Sequence, residues 1–257
     1  MAFPFRAMGL RHGWFFDRYR TLFYRLFDGF ITISAVQRDF IRSFARQEAT
    51  IAVIENSVEL AGTADKPRRA SPSEWRVGVV GRLEWRQKDL SLLLEIAAAV
   101  VRRRSDVRFV LIGDGPDRSR LERRLQETGL AAAFEVRGWI DARKDIYSCF
   151  DVLLLTSLFE GVPLVLLEAL SQNKCVLARL AAGTLVFTEY LPQDFLFDDA
   201  ASAVEKLVAV EATLERFAAV AEGLRERVLW RHGSARFAAA AGGLLTELSQ
   251  SLFRGRA

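Results

Sequence analysis

From Trp75 onward, short apolar runs alternate with longer segments of helical period, and this constrains the fold more than any other feature of the 257 residues. Residues 75–80, 107–112, 134–136, 152–155 and 175–178 read as strands; 90–104, 117–128, 142–148 and 164–170 read as the helices between them. Such alternation predicts an α/β fold: a parallel sheet covered by helices on both faces. An apolar fraction of 51% supplies ample core material. Beyond Asp199 the chain is rich in Ala, Leu, Glu and Arg and is predicted to be helical.

Within the alternation, residues 155–170 carry the chemistry. A buried strand ends at Leu155, Glu160-Gly161 make a turn, and an apolar run containing Glu168 reads as a helix. Pro163 suits the first helical turn, where a missing N–H costs nothing. That helix points its free N–H groups back at the carboxyl end of the strand, which makes an anion site in the crevice where open α/β sheets bind ligands. Glu160 stands at its mouth and Glu168 about two turns along. Two carboxylates flanking such a helix start fit a ligand with a phosphate between two hydroxyl-rich parts. Arg82 and Lys88, on the loop after the first strand, could bind a diphosphate and stabilise its charge as it leaves, the usual substitute for a metal. The alternative for this pair is a solvated basic loop, since Arg86 lies between them.

Several function classes are disfavoured. The net charge of +4 is mildly basic, compatible with anionic ligands or a membrane surface and diagnostic of neither. The two histidines and two cysteines show no zinc-ligand spacing. Cys149 and Cys175 adjoin strands and read as buried thiols of a reducing cytosol, with pairing left open. The amino terminus lacks the apolar run of a signal peptide, and Glu160 and Glu168 interrupt the greasiest region, so no transmembrane span is expected. A dinucleotide-dependent oxidoreductase is disfavoured because the segment from Gly81 to Lys88 is not Gly-x-Gly-x-x-Gly, and Gly113-x-Gly115 follows the wrong strand.

Glu160 and Glu168 have seven residues between them. With Gly81-Arg82-Leu83 and Lys88, Gly113-Asp114-Gly115-Pro116, and Asp151-Val152…Ser157…Glu160-Gly161, the pattern resembles retaining GT-B glycosyltransferases of the family 4 type. The resemblance covers about residues 9–248, with its specific core at 77–178. It implies a Rossmann-like, nucleotide-sugar-binding domain plus a partial second Rossmann-like domain. It also implies transfer of a sugar, with retention and without a metal or cofactor, from a nucleoside diphosphate sugar to a glycan or lipid-linked acceptor in cell-envelope polysaccharide or glycolipid synthesis. By resemblance Glu160 holds the sugar hydroxyls and Glu168 the ribose, while Gly161, Val162, Leu164 and their backbone N–H groups meet the pyrophosphate. Gly81 admits the ligand close to the backbone and Ile140 packs on the nucleobase. Trp139 is open between stacking and core, and His12 between approaching the donor sugar and a structural role. His232 reads as structural. UDP is the commonest nucleotide of such enzymes.

The amino-terminal pattern matches the last third of the family's other domain: His12-Gly13-Trp14, a basic amphipathic helix from Arg18, a strand over 29–34, a helix over 35–46 capped by Ser34, and a strand over 50–54. The expected organisation is therefore a remnant of the amino-terminal domain (1–60), a linker (61–73), the donor domain (74–230) and a returning helix (231–257). With the first strands of that domain missing, the alternative is a half-enzyme that binds nucleotide sugar and needs a partner chain. Expected partners are nucleotide sugar, acceptor and the inner face of a membrane, through the basic aromatic segment before Phe30, with no nucleic acid; the expected location is cytoplasmic. Departures from the family pattern are Ser57 for Gly, Pro163 for Gly, Asn173-Lys174-Cys175-Val176 for Gly-x-Pro-Val, and Ala182-Gly183-Thr184-Leu185-Val186 for Gly-Gly-x-x-Glu.

Overall fold

The computed structural model describes residues 24–58, 70–71, 73–140, 143–181 and 184–254, excepting the side chains of 143–145 and 247–254. His12-Gly13-Trp14, the expected helix from Arg18 and nearly all of the expected linker lie outside the described residues. The chain forms two compact units, residues 1–59 with 229–257, and residues 60–228.

In the smaller unit β1 (Gly29–Thr32) and β2 (Thr50–Val53) pair in parallel, joined through α1 (Ala35–Arg42). Ser34 caps α1, its hydroxyl accepting the Gln37 amide at 3.2 Å. The helix stops at Arg42 rather than Arg46. The Ser43 hydroxyl donates to the Phe40 carbonyl at 2.6 Å, competing with the helical ladder, and Arg42 turns its guanidinium to the Ala49 carbonyl at 2.8 Å.

In the larger unit the elements follow as β3 (Trp75–Val80), α2 (Trp85–Lys88), α3 (Leu90–Arg103), β4 (Val107–Ile112), α4 (Arg118–Glu127), β5 (Phe134–Gly138) and α5 (Arg143–Ser148). Next come β6 (Val152–Leu155), α6 (Leu164–Ser171), β7 (Cys175–Arg179), β8 (Leu196–Phe197) and α7 (Ala200–Val208). Helix α8 (Val210–His232) starts in this unit, and α9 (Ser234–Arg254) follows it in the smaller one. The sheet is parallel throughout in the order β5-β4-β3-β6-β7-β8. The chain thus builds outward from β3 in one direction, then crosses back and builds outward from β6 in the other. The short turn α2 and strand β8 have no counterpart in the sequence pattern; both are too brief for a periodic signal.

Burial follows the pattern the sequence predicts. All four residues of β6 are buried, and α3 buries Leu90, Leu93, Ile96, Ala97 and Val100, a stripe spaced at three and four residues. Helices α3 and α7 pack together. The Phe150 ring lies flat on β3: a Cβ at Gly78 would sit 2.3 Å from it. Emptying that place by Phe150→Ala would cost about 3–5 kcal/mol.

At the amino ends of the strands, buried Asp151 accepts the Arg76 and Ala70 amides, each at 2.8 Å, and so fixes the start of β3. Lys174 donates to the Phe150 carbonyl at 3.1 Å, and burial lowers its pKa against the pull of Asp151. In the smaller unit His232 is buried with Nδ1 at 2.8 Å from the Asn56 carbonyl, and the Val58 amide donates to the His232 carbonyl at 2.9 Å. Beside it Arg231 pairs with Glu55 at 2.5 Å; burial lifts the Glu55 carboxyl, and the guanidinium more than offsets this, holding it below its usual range. Among the described residues no helix is long and apolar enough to cross a membrane.

Candidate functional site

Neighbouring strands β3 and β6 lead to opposite edges of the sheet, so the segments leaving their carboxyl ends diverge and leave a crevice between them. The segment after β3 starts at Gly81, whose φ of +139° is one that side-chain-bearing residues avoid. A Cβ there would meet Lys88 Cε at 3.5 Å, an ordinary contact, so the backbone conformation rather than lack of room calls for glycine, and Lys88 lies directly over it. Gly113, ending β4, lies against Gly81: its Cβ would sit 2.0 Å from the Gly81 carbonyl oxygen. The Leu83 amide donates to the Asp114 carbonyl at 3.0 Å and the Trp85 amide to Asp117 Oδ2 at 2.7 Å. The Gly113–Asp117 turn is therefore a bed on which the Gly81–Glu84 loop rests.

Lys88 closes α2 and its Nζ lies 2.5 Å from Glu160 Oε1. The two side chains are 16% and 10% exposed, so the pair is largely out of water. Ser157 Oγ donates to the same oxygen at 2.7 Å. Glu160 Oε2 takes no hydrogen bond from the described residues. The Lys88 backbone is held from β6: Thr156 Oγ1 donates to the Lys88 carbonyl at 2.6 Å, and the Leu158 amide to the Gln87 carbonyl at 2.9 Å. Arg82, expected beside Lys88, points elsewhere: it is 69% exposed and its nearest carboxylate is Glu84 at 3.9 Å. Of the two expected cations, the structure brings one to Glu160.

Helix α6 begins at Leu164, with Pro163 as its cap in an extended conformation rather than inside the first turn. A proline φ near −73° serves either place, and here its carbonyl accepts the Leu166 amide at 3.1 Å. The amides of Leu164 and Val165 have no carbonyl one turn earlier within the helix. Val162 is buried, Gly161 half-buried and the Leu164 side chain exposed. Glu168 is half-buried and accepts the hydroxyl of fully buried Tyr147 at 2.6 Å. Past β5, Ile140 is half-buried and Trp139 is 74% exposed, which removes the core reading of that indole.

Where the expected Gly-Gly-x-x-Glu is altered, buried Thr184 closes the loop: its hydroxyl donates to the Arg179 carbonyl at 2.7 Å and accepts the Ala181 amide at 2.8 Å. Ala182 and Gly183, like His12, lie outside the described residues. Both cysteines are buried and form no disulfide, and burial pushes the Cys175 thiol far up. Among the described residues no cluster of three His, Cys, Asp or Glu side chains could hold a metal ion.

Three members of this arrangement are not singled out as functional groups by the sequence pattern. Ser157 lies three residues before Glu160, a spacing at which a turn returns a hydroxyl to a carboxylate, so a signal for it exists. Thr156 and Tyr147 carry none, because a strand-end threonine and a helix tyrosine read as packing.

Comparison with known proteins places the chain. The family described as glycosyl transferases group 1 matches residues 74–212, more than half of the chain. A subunit of phosphatidylinositol N-acetylglucosaminyltransferase from Arabidopsis thaliana is 29% identical over 65% of this chain and 38% of its own length. UDP-Gal:α-D-GlcNAc-diphosphoundecaprenol α-1,3-galactosyltransferase from Escherichia coli is 31% identical over 62% of this chain and 45% of its own. In structure, a variant of S. aureus TarM in complex with fondaparinux, α-GlcNAc-glycerol and UDP superimposes with a TM-score of 0.74 at 19% identity, covering 89% of this chain and 46% of that one. The chain thus spans less than half the length of each of these proteins. The fold is that of GT-B glycosyltransferases, and the chain belongs to the family of group 1 glycosyl transferases.

Proposed function

We propose that the chain carries the donor-binding part of a retaining, metal-independent glycosyltransferase that moves a sugar from a nucleoside diphosphate sugar to a glycan or lipid-linked acceptor. The observation that carries this reading is the sequestered Lys88–Glu160 pair beside the start of α6. A diphosphate entering the crevice would take Lys88 from Glu160 and accept the first amides of α6. Glu160, still fixed by Ser157, would then accept hydroxyls of the sugar, and Glu168 those of the ribose. As the bond from the anomeric carbon to the phosphate oxygen breaks, its electron pair passes to the diphosphate, the acceptor hydroxyl oxygen bonds to that carbon on the same face, and its proton passes to the departing phosphate oxygen. Lys88 and the helix amides stabilise that charge, and Arg82 can swing in from the rim. Ile140 would face the nucleobase with exposed Trp139 beside it, and by family resemblance His12 would approach the sugar. The resemblance of the motifs to the family 4 pattern supports retention.

UDP is the favoured nucleotide, supported by its presence in the TarM complex. The diphosphoundecaprenol-linked sugar named for the E. coli relative supports a lipid-linked acceptor, a role in cell-envelope synthesis and a cytoplasmic site at the inner face of the membrane. The experiment is calorimetry with UDP, GDP and ADP in the presence of EDTA. Binding of one of them with chelator present is expected; affinity abolished by the chelator would overturn metal independence.

A second reading is favoured by the length comparison: a nucleotide-sugar-binding part that transfers only with a partner chain. Turnover of radiolabelled UDP-sugar onto extracted lipid by this chain alone would exclude it.

A further inference from the structure

Asp89 holds a costly backbone conformation at the joint of two helices. It is one of only two non-glycine residues among those described that have positive φ, at 44°, a left-handed conformation costing roughly 1–2 kcal/mol. It stands at the joint between α2 and α3, capping the end of one and the start of the other. Its Oδ1 accepts the Leu92 amide at 3.2 Å, and its Oδ2 lies 2.6 Å from Arg179 Nη1. Both side chains are 20% exposed. Arg179 is the last residue of β7, so its guanidinium reaches past β6 to the segment that follows β3. Its Nε is buried and has no hydrogen-bond partner among the described residues, an unsatisfied donor that a packing residue would not need to carry.

The residue before this joint is Lys88. The reversal at Asp89 ends α2 after one turn and leaves Lys88 lying across Gly81 toward Glu160. Thr156 holds the carbonyl of Lys88 from β6, and Arg179 holds the side chain of the next residue from β7. We infer that Arg179 is a positioning residue for Lys88: by fixing Asp89 in its left-handed conformation it aims the ammonium at the place where the donor diphosphate sits. The inference rests on the proposed role of Lys88. Nothing in it requires Arg179 to touch the ligand.

The test compares UDP with uridine, because only UDP meets Lys88. Calorimetry on the wild type gives the increment in affinity that the diphosphate supplies. Lys88→Ala should reduce that increment by roughly tenfold, the loss of one charge-assisted contact. Arg179→Met, which keeps the stem and removes the charge, should reduce it by a large part of the same factor while leaving uridine affinity unchanged. Adding Asp89→Gly to Arg179→Met should restore the increment, because glycine takes the left-handed conformation without a brace. An unchanged increment in Arg179→Met, equal weakening of UDP and uridine, or no rescue by glycine would each overturn the inference. If Lys88→Ala itself leaves the increment unchanged, the proposed role of Lys88 fails and the inference falls with it. Thermal melting of each variant separates a folding defect, which would weaken both ligands together.

Discussion

The phenol of Tyr147, with no surface exposed, donates to Glu168 Oε2 at 2.6 Å and so ties α5 to the second turn of α6. That bond fixes the orientation of the Glu168 carboxylate. If its ligand is a ribose, Tyr147→Phe should weaken UDP binding by roughly three- to tenfold, the worth of one hydrogen bond to a charged group. The 2′-deoxy nucleotide should lose less. Isothermal titration with both nucleotides checks this; equal losses would show that Tyr147 acts only through packing.

Lys88 and Glu160 should respond differently to neutralisation. Lys88→Ala leaves a largely buried carboxylate without its cation, and about 3–5 kcal/mol of stability should go with it. Glu160→Gln keeps a side chain that Ser157 can still bond and frees Lys88, so UDP affinity should hold or tighten. The preference for UDP-sugar over UDP should then vanish. Melting curves and competition titrations read both effects, and weakening of UDP by Glu160→Gln as large as that of Lys88→Ala would separate Glu160 from the sugar.

The glycine bed under the loop makes a sharper claim about stability. Gly113→Ala pushes a methyl to 2.0 Å from the Gly81 carbonyl oxygen at a φ of +135°, and should cost about 3 kcal/mol with loss of UDP binding. Gly223→Ala, within α8 and with no atom near the added methyl, should instead stabilise by about 0.5–1 kcal/mol. Chemical denaturation of the two variants gives opposite shifts of midpoint if the packing is as described.

Acid should loosen the start of α8. The Arg104 guanidinium bonds Glu211 and Asp106, each at 2.7 Å, and the Val208 carbonyl at 2.9 Å; Trp75 Nε1 donates to Glu211 at 3.0 Å. Its hydrogen bond from Arg104, against a smaller effect of burial, takes the Glu211 carboxyl down to about 2 from 4.5. A carboxyl with a depressed pKa stabilises the fold above its unfolded pKa. That contribution is complete above pH 4.5 and disappears as pH falls toward 2. Glu211 is half-exposed, so solvent screens the pair, and Glu211→Gln should cost only about 0.5–1 kcal/mol at pH 7. Its melting temperature should fall less steeply than that of the wild type between pH 4.5 and 2, and parallel curves would remove Glu211 from acid sensitivity.

Strands β3, β4 and β6 were legible because each is a short, largely apolar run mostly buried on both faces: 75–80, 107–112 and 152–155 are read from sequence with the bounds found in the structure. Helix ends were less so. The Ser43 hydroxyl ends α1 four residues early through one bond to Phe40, and side-chain competition of that kind has no period. At the candidate site, Lys88 and Glu160 belong together by motif and are paired in space, whereas Arg82 is turned to solvent. Asp89 and Arg179 were invisible for a different reason. They are separated by 90 positions, and a left-handed aspartate is a property of the backbone that no local pattern announces.

Every group assigned to ligand contact among the described residues stands on a segment that follows a strand or, as Glu168 does, within α6, and none on the sheet itself. Apart from Arg179, the last residue of β7, the strands bring mainly apolar packing to that pole, and the other bonds that aim Lys88 and Glu160 come from the next segments along. If the proposed ligand contacts hold, choice of sugar and base can drift by exchange of short surface stretches, with the sheet beneath untouched. For an engineer this is a socket: segments 81–89, 138–140 and 156–168 could be transplanted as cassettes between relatives, with Arg179 kept beside Asp89, and the apolar layer beneath them would not need to be redesigned.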